Sequence, residues 1–124
     1  MNKDNNGPYA EFGIIDIIDK TIDYGYYNPY GYNCISIPDD IIENWYPDIS
    51  KMKSYFHSFS RPETGLARWG VTLIPPESLD FFHDIIQTKT SAVYREKFSS
   101  ELNALLGLVK KAKENEKYMI HFGV

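Results

Sequence analysis

Two adjacent prolines constrain this chain more than any other feature. They stand inside VTLIPPESLDFFHDII, residues 71 to 86. The residues before them, in LARWGVTLI, are rich in the branched and apolar side chains that suit a pleated, half-buried surface. Pro75 has no N–H to give a sheet ladder, so a strand must end there. Pro76 carries the φ of a first helical turn. Beyond it Leu79, Phe82, Ile85 and Ile86 fall on one side of a helix, with Asp80 and Asp84 opposite. A strand therefore runs straight into an amphipathic helix, and the apolar stripe of that helix needs a sheet to cover.

The remaining segments extend this pattern. Tyr94, Phe98, Leu102, Leu105, Leu106, Val109 and Ala112 follow three-and-four spacing and predict one long helix from about Ser91 to Glu116, and YMIHFGV closes the chain as an apolar strand. KMKSYFHSF alternates like a strand, SRPETG has turn chemistry, and the short connection to LARWGVTLI suits an antiparallel hairpin. YNCISI reads as a strand that Pro38 keeps out of a central ladder position. Asp39 or Asp40 can cap a short helix, DDIIENWY, that buries Ile41, Ile42 and Trp45 and ends at Pro47. From Glu11 to Asp23, the residues Phe12, Ile14, Ile15, Ile17, Ile18 and Ile22 fit helical spacing. The β-branched isoleucines and Gly13 favour a strand through FGIIDII instead. The helix is the expectation taken forward.

The chain is thus expected to form a single α+β domain over residues 9–124, after a flexible N-terminus at residues 1–8. The sheet is antiparallel or mixed with packed helices, and a long helix near the C-terminus precedes a terminal strand. At 124 residues such a domain buries about two thirds of its unfolded surface. Its expected core includes Leu102, Leu105, Leu106 and Val109 from the long helix and Val71, Leu73 and Ile120 from strands.

Composition narrows the chemistry. Cys34 is the only cysteine, which excludes an internal disulfide and a cysteine zinc cluster, and in its strand it reads as a small core residue. No apolar run is long enough to span a bilayer and no signal peptide is evident, so a soluble, cytoplasmic protein without membrane association is expected. Residues 1 to 60 carry a net −5 and residues 61 to 124 a net +1, which together make the −4 of the chain. The acidic half disfavours direct nucleic-acid binding and favours a basic protein partner. His57, His83 and His121 belong to no metal-ligand motif, and no glycine-rich phosphate loop is present, so neither metal nor cofactor is expected.

Two stretches could carry function. YFHSFSRPETGLARW, residues 55 to 69, gathers His57, Ser58, Ser60, Arg61, Glu63 and Arg68 near one hairpin end. That is enough for a small hydrolase or nuclease using His57 and Arg61, or it is a solvated hairpin tip. DYGYYNPYGYN, residues 23 to 33, holds five of the ten tyrosines and no lysine or arginine, which argues against base stacking. It reads either as an aromatic plug over the sheet or as a protein-binding surface. The binding surface would comprise Tyr24, Tyr26, Tyr27, Tyr30 and Tyr32, with Asp16, Asp19, Asp23, Asp39 and Asp40 on both sides to meet a basic partner.

An acidic α+β chain of this size, with LARWGVTLIPPESL in its middle and MIHFGV at its end, resembles the small immunity proteins of bacterial polymorphic-toxin and contact-dependent growth inhibition systems. The resemblance implies a protein without a reaction of its own that binds and blocks a cognate toxin domain, often a nuclease. It also implies a gene placed directly after that of the toxin. It assigns no functional residue, because these families share no common inhibitory motif.

Overall fold

A computed structural model describes residues 8–25 and 28–123. The double proline acts as its chemistry requires. Strand β5 (Val71–Ile74) stops at Pro75, Pro76–Ser78 form one 3₁₀ turn, and helix α3 (Leu79–Lys89) follows at once. The other strands are β1 (Tyr9–Ile15), β2 (Ile35–Pro38), β3 (Lys53–Phe56), β4 (Pro62–Thr64) and β6 (Tyr118–Phe122). The other helices are α1 (Asp39–Glu43), α2 (Tyr46–Ile49), α4 (Ala92–Lys97) and α5 (Ser99–Glu114). The domain is α+β, with a single antiparallel sheet in the order β2-β1-β6-β5-β3-β4. Pro38 lies in β2 at a sheet edge, where its missing N–H interrupts no central ladder.

Helices α1, α2, α3 and α5 cover one face. Their core centres on Phe12, Trp45 and Phe82, with ring centroids 5.6 Å apart for Phe12 and Phe82 and 5.9 Å for Trp45 and Phe82. The buried Trp45 indole donates to Thr90 Oγ1 at 2.9 Å, and that hydroxyl donates to the Ile86 carbonyl at 2.7 Å, so the polar atoms at the end of α3 are satisfied. A second apolar layer of Ile15, Tyr24, Val71, Leu73, Ile120 and Phe122 lies on the other face. The chain between β1 and β2 covers it with Ile18, Tyr24, Tyr32 and Cys34, and Phe59 packs there on Tyr55 and Tyr118.

Several expectations are corrected. The segment from Glu11 begins as strand β1, not as a helix. Ala10 and Phe12 face the helical core while Ile15 faces the second layer, so the isoleucines serve two covered faces. Gly13 sits so close to the next layer that a Cβ there would meet the Tyr32 Cβ at 2.8 Å. The long helix is two, because Phe98 leaves the helical region (φ −118°, ψ 35°) between α4 and α5. LARWGVTLI is strand only from Val71, and the strand begun in KMKSYFHSF ends at Phe56, since His57 has φ 69°. β3 does pair with β5 antiparallel, while the connection between them adds β4 on the far side of β3. Of the expected core, Leu102, Leu105 and Val109 are buried in the helical core and Val71, Leu73 and Ile120 in the second layer, and only Leu106 departs, being partly buried. Among the described residues, no helix is long and apolar enough to cross a membrane.

His121 is buried on the helical side, with its ring 4.9 Å from that of Phe12 and Nδ1 3.1 Å from Thr72 Oγ1. Burial lowers its pKa from the ordinary 6.5 to about 3. The unfolded chain therefore takes up this proton near 6.5 and the folded chain only near 3, so the contribution to stability is present above 6.5 and is lost as pH falls toward 3. Urea unfolding of wild type should lose on the order of 3 to 5 kcal/mol through this group across that range. His121→Leu should flatten the acid limb, and an unchanged pH slope would contradict the assignment. Leu105, fully buried between α5 and the sheet, should cost about 2 to 5 kcal/mol on replacement by Ala. A loss below about 0.5 kcal/mol in the same assay would show the face of α5 to be misassigned.

Candidate functional site

After β1 the chain crosses the second face through a series of local hydrogen bonds. The Asp19 carboxylate accepts from Thr21 N at 2.9 Å and Thr21 Oγ1 at 2.6 Å, and these bonds hold its pKa below the ordinary value. The Asp19 N–H donates to the Tyr24 hydroxyl at 2.9 Å. Asp23 Oδ1 accepts from Gly25 N at 2.7 Å, and Tyr24 N donates to the His57 carbonyl at 2.6 Å. Tyr24 is thereby drawn inward, only 9% exposed. A 3₁₀ turn, Pro29–Tyr32, ends at Asn33 in the left-handed region (φ 53°) and sets the Tyr32 ring 5.9 Å from that of Phe122. Burial raises the Tyr32 pKa, with smaller contributions from Tyr24 and Cys34.

The five tyrosines therefore do not act alike. Tyr24 and Tyr32 are part of the cover of the sheet, whereas Tyr30 projects into solvent, 90% exposed. Tyr26 and Tyr27 lie outside the described residues. Tyr30 and Pro29 form one wall of a cleft of about 420 Å³ that is completed by Glu11, Asn33, Cys34 and Ser36. Ser36 Oγ lies 2.8 Å from each Glu11 carboxylate oxygen and donates to them. Burial, assisted by the Glu11 charge, pushes the Cys34 thiol up to about 12. It stays protonated near neutral pH and is not an activated nucleophile.

The expected ring of acids is also divided. Pro38 pairs with Tyr9 and Ile15 with Tyr118, so Asp39 and Asp16 leave opposite ends of β1. The Asp16 carbonyl accepts from Lys117 Nζ at 2.7 Å at its end. Asp39 and Asp40 open α1 at the other, directly after β2. Burial raises the Asp39 pKa. Arg68 opposes that shift, and the charges of Glu43 and Asp40 reinforce it. Arg68 pairs with Glu43, and its guanidinium lies 5.0 Å from the centre of the Tyr46 ring.

The residues proposed for hydrolysis lie on the β3–β4 turn (His57, Ser58, Ser60 and Arg61), on β4 (Glu63) and on the β4–β5 loop (Arg68). The His57 N–H donates to Val71 O at 3.0 Å, and its half-buried ring lies between Gly25 and Gly70. A Cβ on Gly25 would meet His57 Nδ1 at 3.0 Å, and a Cβ on Gly70 would collide with Nε2. Arg61 is exposed, and its backbone closes a turn with Ser58 O at 3.1 Å and Phe56 N at 3.0 Å. Ser58 and Ser60 share a hydrogen bond of 2.8 Å, Glu63 is exposed on β4, and Arg68 turns toward α1. Among the described residues, no group of three or more His, Cys, Asp or Glu side chains is placed to hold a metal ion.

Sequence reasoning missed Trp69, which is 73% exposed beside Gly70. Reading LARWGVTLI as one strand hid it, and the glycine directly after it was the available sign of a loop. In comparison with known proteins, the chain has no significant match to a family model, to a curated protein or to a solved structure.

The two described classes of tyrosine should separate in stability. Tyr24→Ala should destabilise the domain by about 3 kcal/mol or more, and Tyr30→Ala should stay within about 0.5 kcal/mol of wild type by urea unfolding. Equal effects would contradict this division.

Proposed function

We propose that this chain is an immunity protein, which binds a basic bacterial toxin domain and neutralises it by protein–protein contact without catalysing a reaction. The observation that carries this reading is Tyr30, a large amphipathic side chain held 90% exposed at the mouth of a cleft. Glu11 lines the cleft, and Asp39 and Asp40 follow β2, the strand that carries Ser36 of the cleft. Tyrosine supplies contact area at low entropic cost, and surrounding acids steer a basic surface toward it. The resemblance to toxin-immunity proteins supports the same reading, as does the net charge of −4.

Within this reading the contact set contracts to Tyr30, Asp39 and Asp40, joined by Glu11 and Glu43. Tyr24 and Tyr32 belong instead to the cover of the sheet. The partner to use is the protein encoded immediately upstream, purified and titrated against this chain by surface plasmon resonance. Tyr30→Ala should speed dissociation by about 10-fold or more. Asp40→Asn should slow association and weaken its dependence on salt. An upstream product that does not bind the wild-type chain would overturn the proposal.

A further inference from the structure

The loop between β4 and β5 is held at nearly every residue except one. The Gly65 N–H donates to Met52 O at 2.7 Å, and its carbonyl accepts from the buried Ser54 hydroxyl at 2.7 Å. Leu66 and Ala67 are buried, and Ala67 N donates to Thr72 Oγ1 at 2.8 Å. Arg68 is paired with Glu43 and lies over Tyr46. Gly70 has φ 103°, which suits glycine, and it faces the His57 ring. Its carbonyl accepts from Gly123 N at 2.7 Å, and Gly123 lies so near the loop that a Cβ there would come within 2.8 Å of Ala67 O.

Trp69 stands out from this framework, 73% exposed, while Trp45, the other tryptophan, is fully buried. A loop fixed on both sides of an exposed indole has little backbone freedom left to lose, and an indole has only two side-chain torsions to order on contact, which favours an aromatic anchor. The charge around it is one-sided. Asp39 lies within electrostatic reach of Asp40, Glu43 and Arg68, and Arg68, the residue before Trp69, is paired with Glu43, so acids outnumber bases on this side of the loop.

We infer that Trp69 is the anchor of the partner surface, inserting into an apolar slot ringed by lysine or arginine on a basic protein, with Asp39, Asp40 and Glu43 facing that ring. This rests on the binding reading above and names within it a residue outside the tyrosine-rich stretch. Trp69 supplies buried apolar area, the acids set approach and orientation, and Arg68 holds Glu43 and the loop in place.

The test uses the full chain and the purified product of the upstream gene. Trp69→Ala should melt within a few degrees of wild type and weaken binding by about 30-fold or more, mostly through dissociation. Trp69→Phe should recover much of that loss. Val93→Ala, at an equally bare position (71% exposed) on α4, should bind as wild type does. In the complex, quenching of Trp69 emission by acrylamide should fall, and a Trp45→Phe background isolates that signal. If wild type binds and Trp69→Ala binds within about 3-fold of it, the anchor assignment fails and the binding reading stands. If wild type does not bind, both fail. A homodimer in sedimentation that Trp69→Ala dissolves would assign the indole to a second copy of this chain and overturn the inference.

Discussion

The pairing of β1 with β6 is the interaction on which the rest of the structure depends. It brings residues from the beginning and the end of the chain together over five positions, from Glu11 opposite Phe122 to Ile15 opposite Tyr118. These strands occupy the middle of the sheet and carry apolar side chains on both faces, so both faces have to be covered. Helices can cover one. The second cover comes from the long connection between β1 and β2, and that requirement explains Tyr24 and Tyr32 where polar residues would be ordinary. Tyrosine buries a ring against the sheet while its hydroxyl finds a hydrogen bond, as Tyr24 does with the Asp19 N–H.

Glycine marks places where the sheet and the chain packed on it come closest. Gly13 leaves room for Tyr32 and Cys34, Gly70 for the His57 ring, and Gly123 for the carbonyls of the β4–β5 loop. A methyl group at any of the three would force backbone or ring atoms apart in a layer that has little slack. The backbone around His57 is part of the same device. Its positive φ turns the chain away from β3, its N–H holds Val71, and its carbonyl holds Tyr24. The backbone of His57 thus joins three segments.

A scaffold tied this closely affects what its surface can do. A fixed backbone spares the backbone part of the entropy lost on contact, and Tyr30 and Trp69 are the described aromatics most exposed on this one. Trp69 follows Arg68, which pairs with Glu43 of α1, whereas Tyr30 lines the cleft with Glu11 and Ser36. Asp16 is carried to the end opposite Asp39 by the length of β1, so the acids that are neighbours of the tyrosines in sequence are not all neighbours in space. Only part of the candidate site was therefore legible in the sequence. The tyrosine-rich segment and the acids of α1 could be identified, but the division of labour among them could not.

The sequence by itself determined the elements whose signals are local. The double proline ended β5 and opened α3, the apolar stripe from Leu102 to Ala112 made α5, Pro38 kept β2 at an edge, and YMIHF made a terminal strand. Each follows from residues a few positions apart acting on one another. Only the tertiary structure decided that the first isoleucines form a strand, because their spacing fits either period and burial on both faces is settled by β2, β6, α5 and the tyrosine connection together. It also decided that Trp45 is buried and Trp69 bare. An indole does not carry its own exposure, which depends on Thr90 being 45 residues away in sequence and in reach of one ring, and on Glu43 and Gly123 fixing the loop that holds the other.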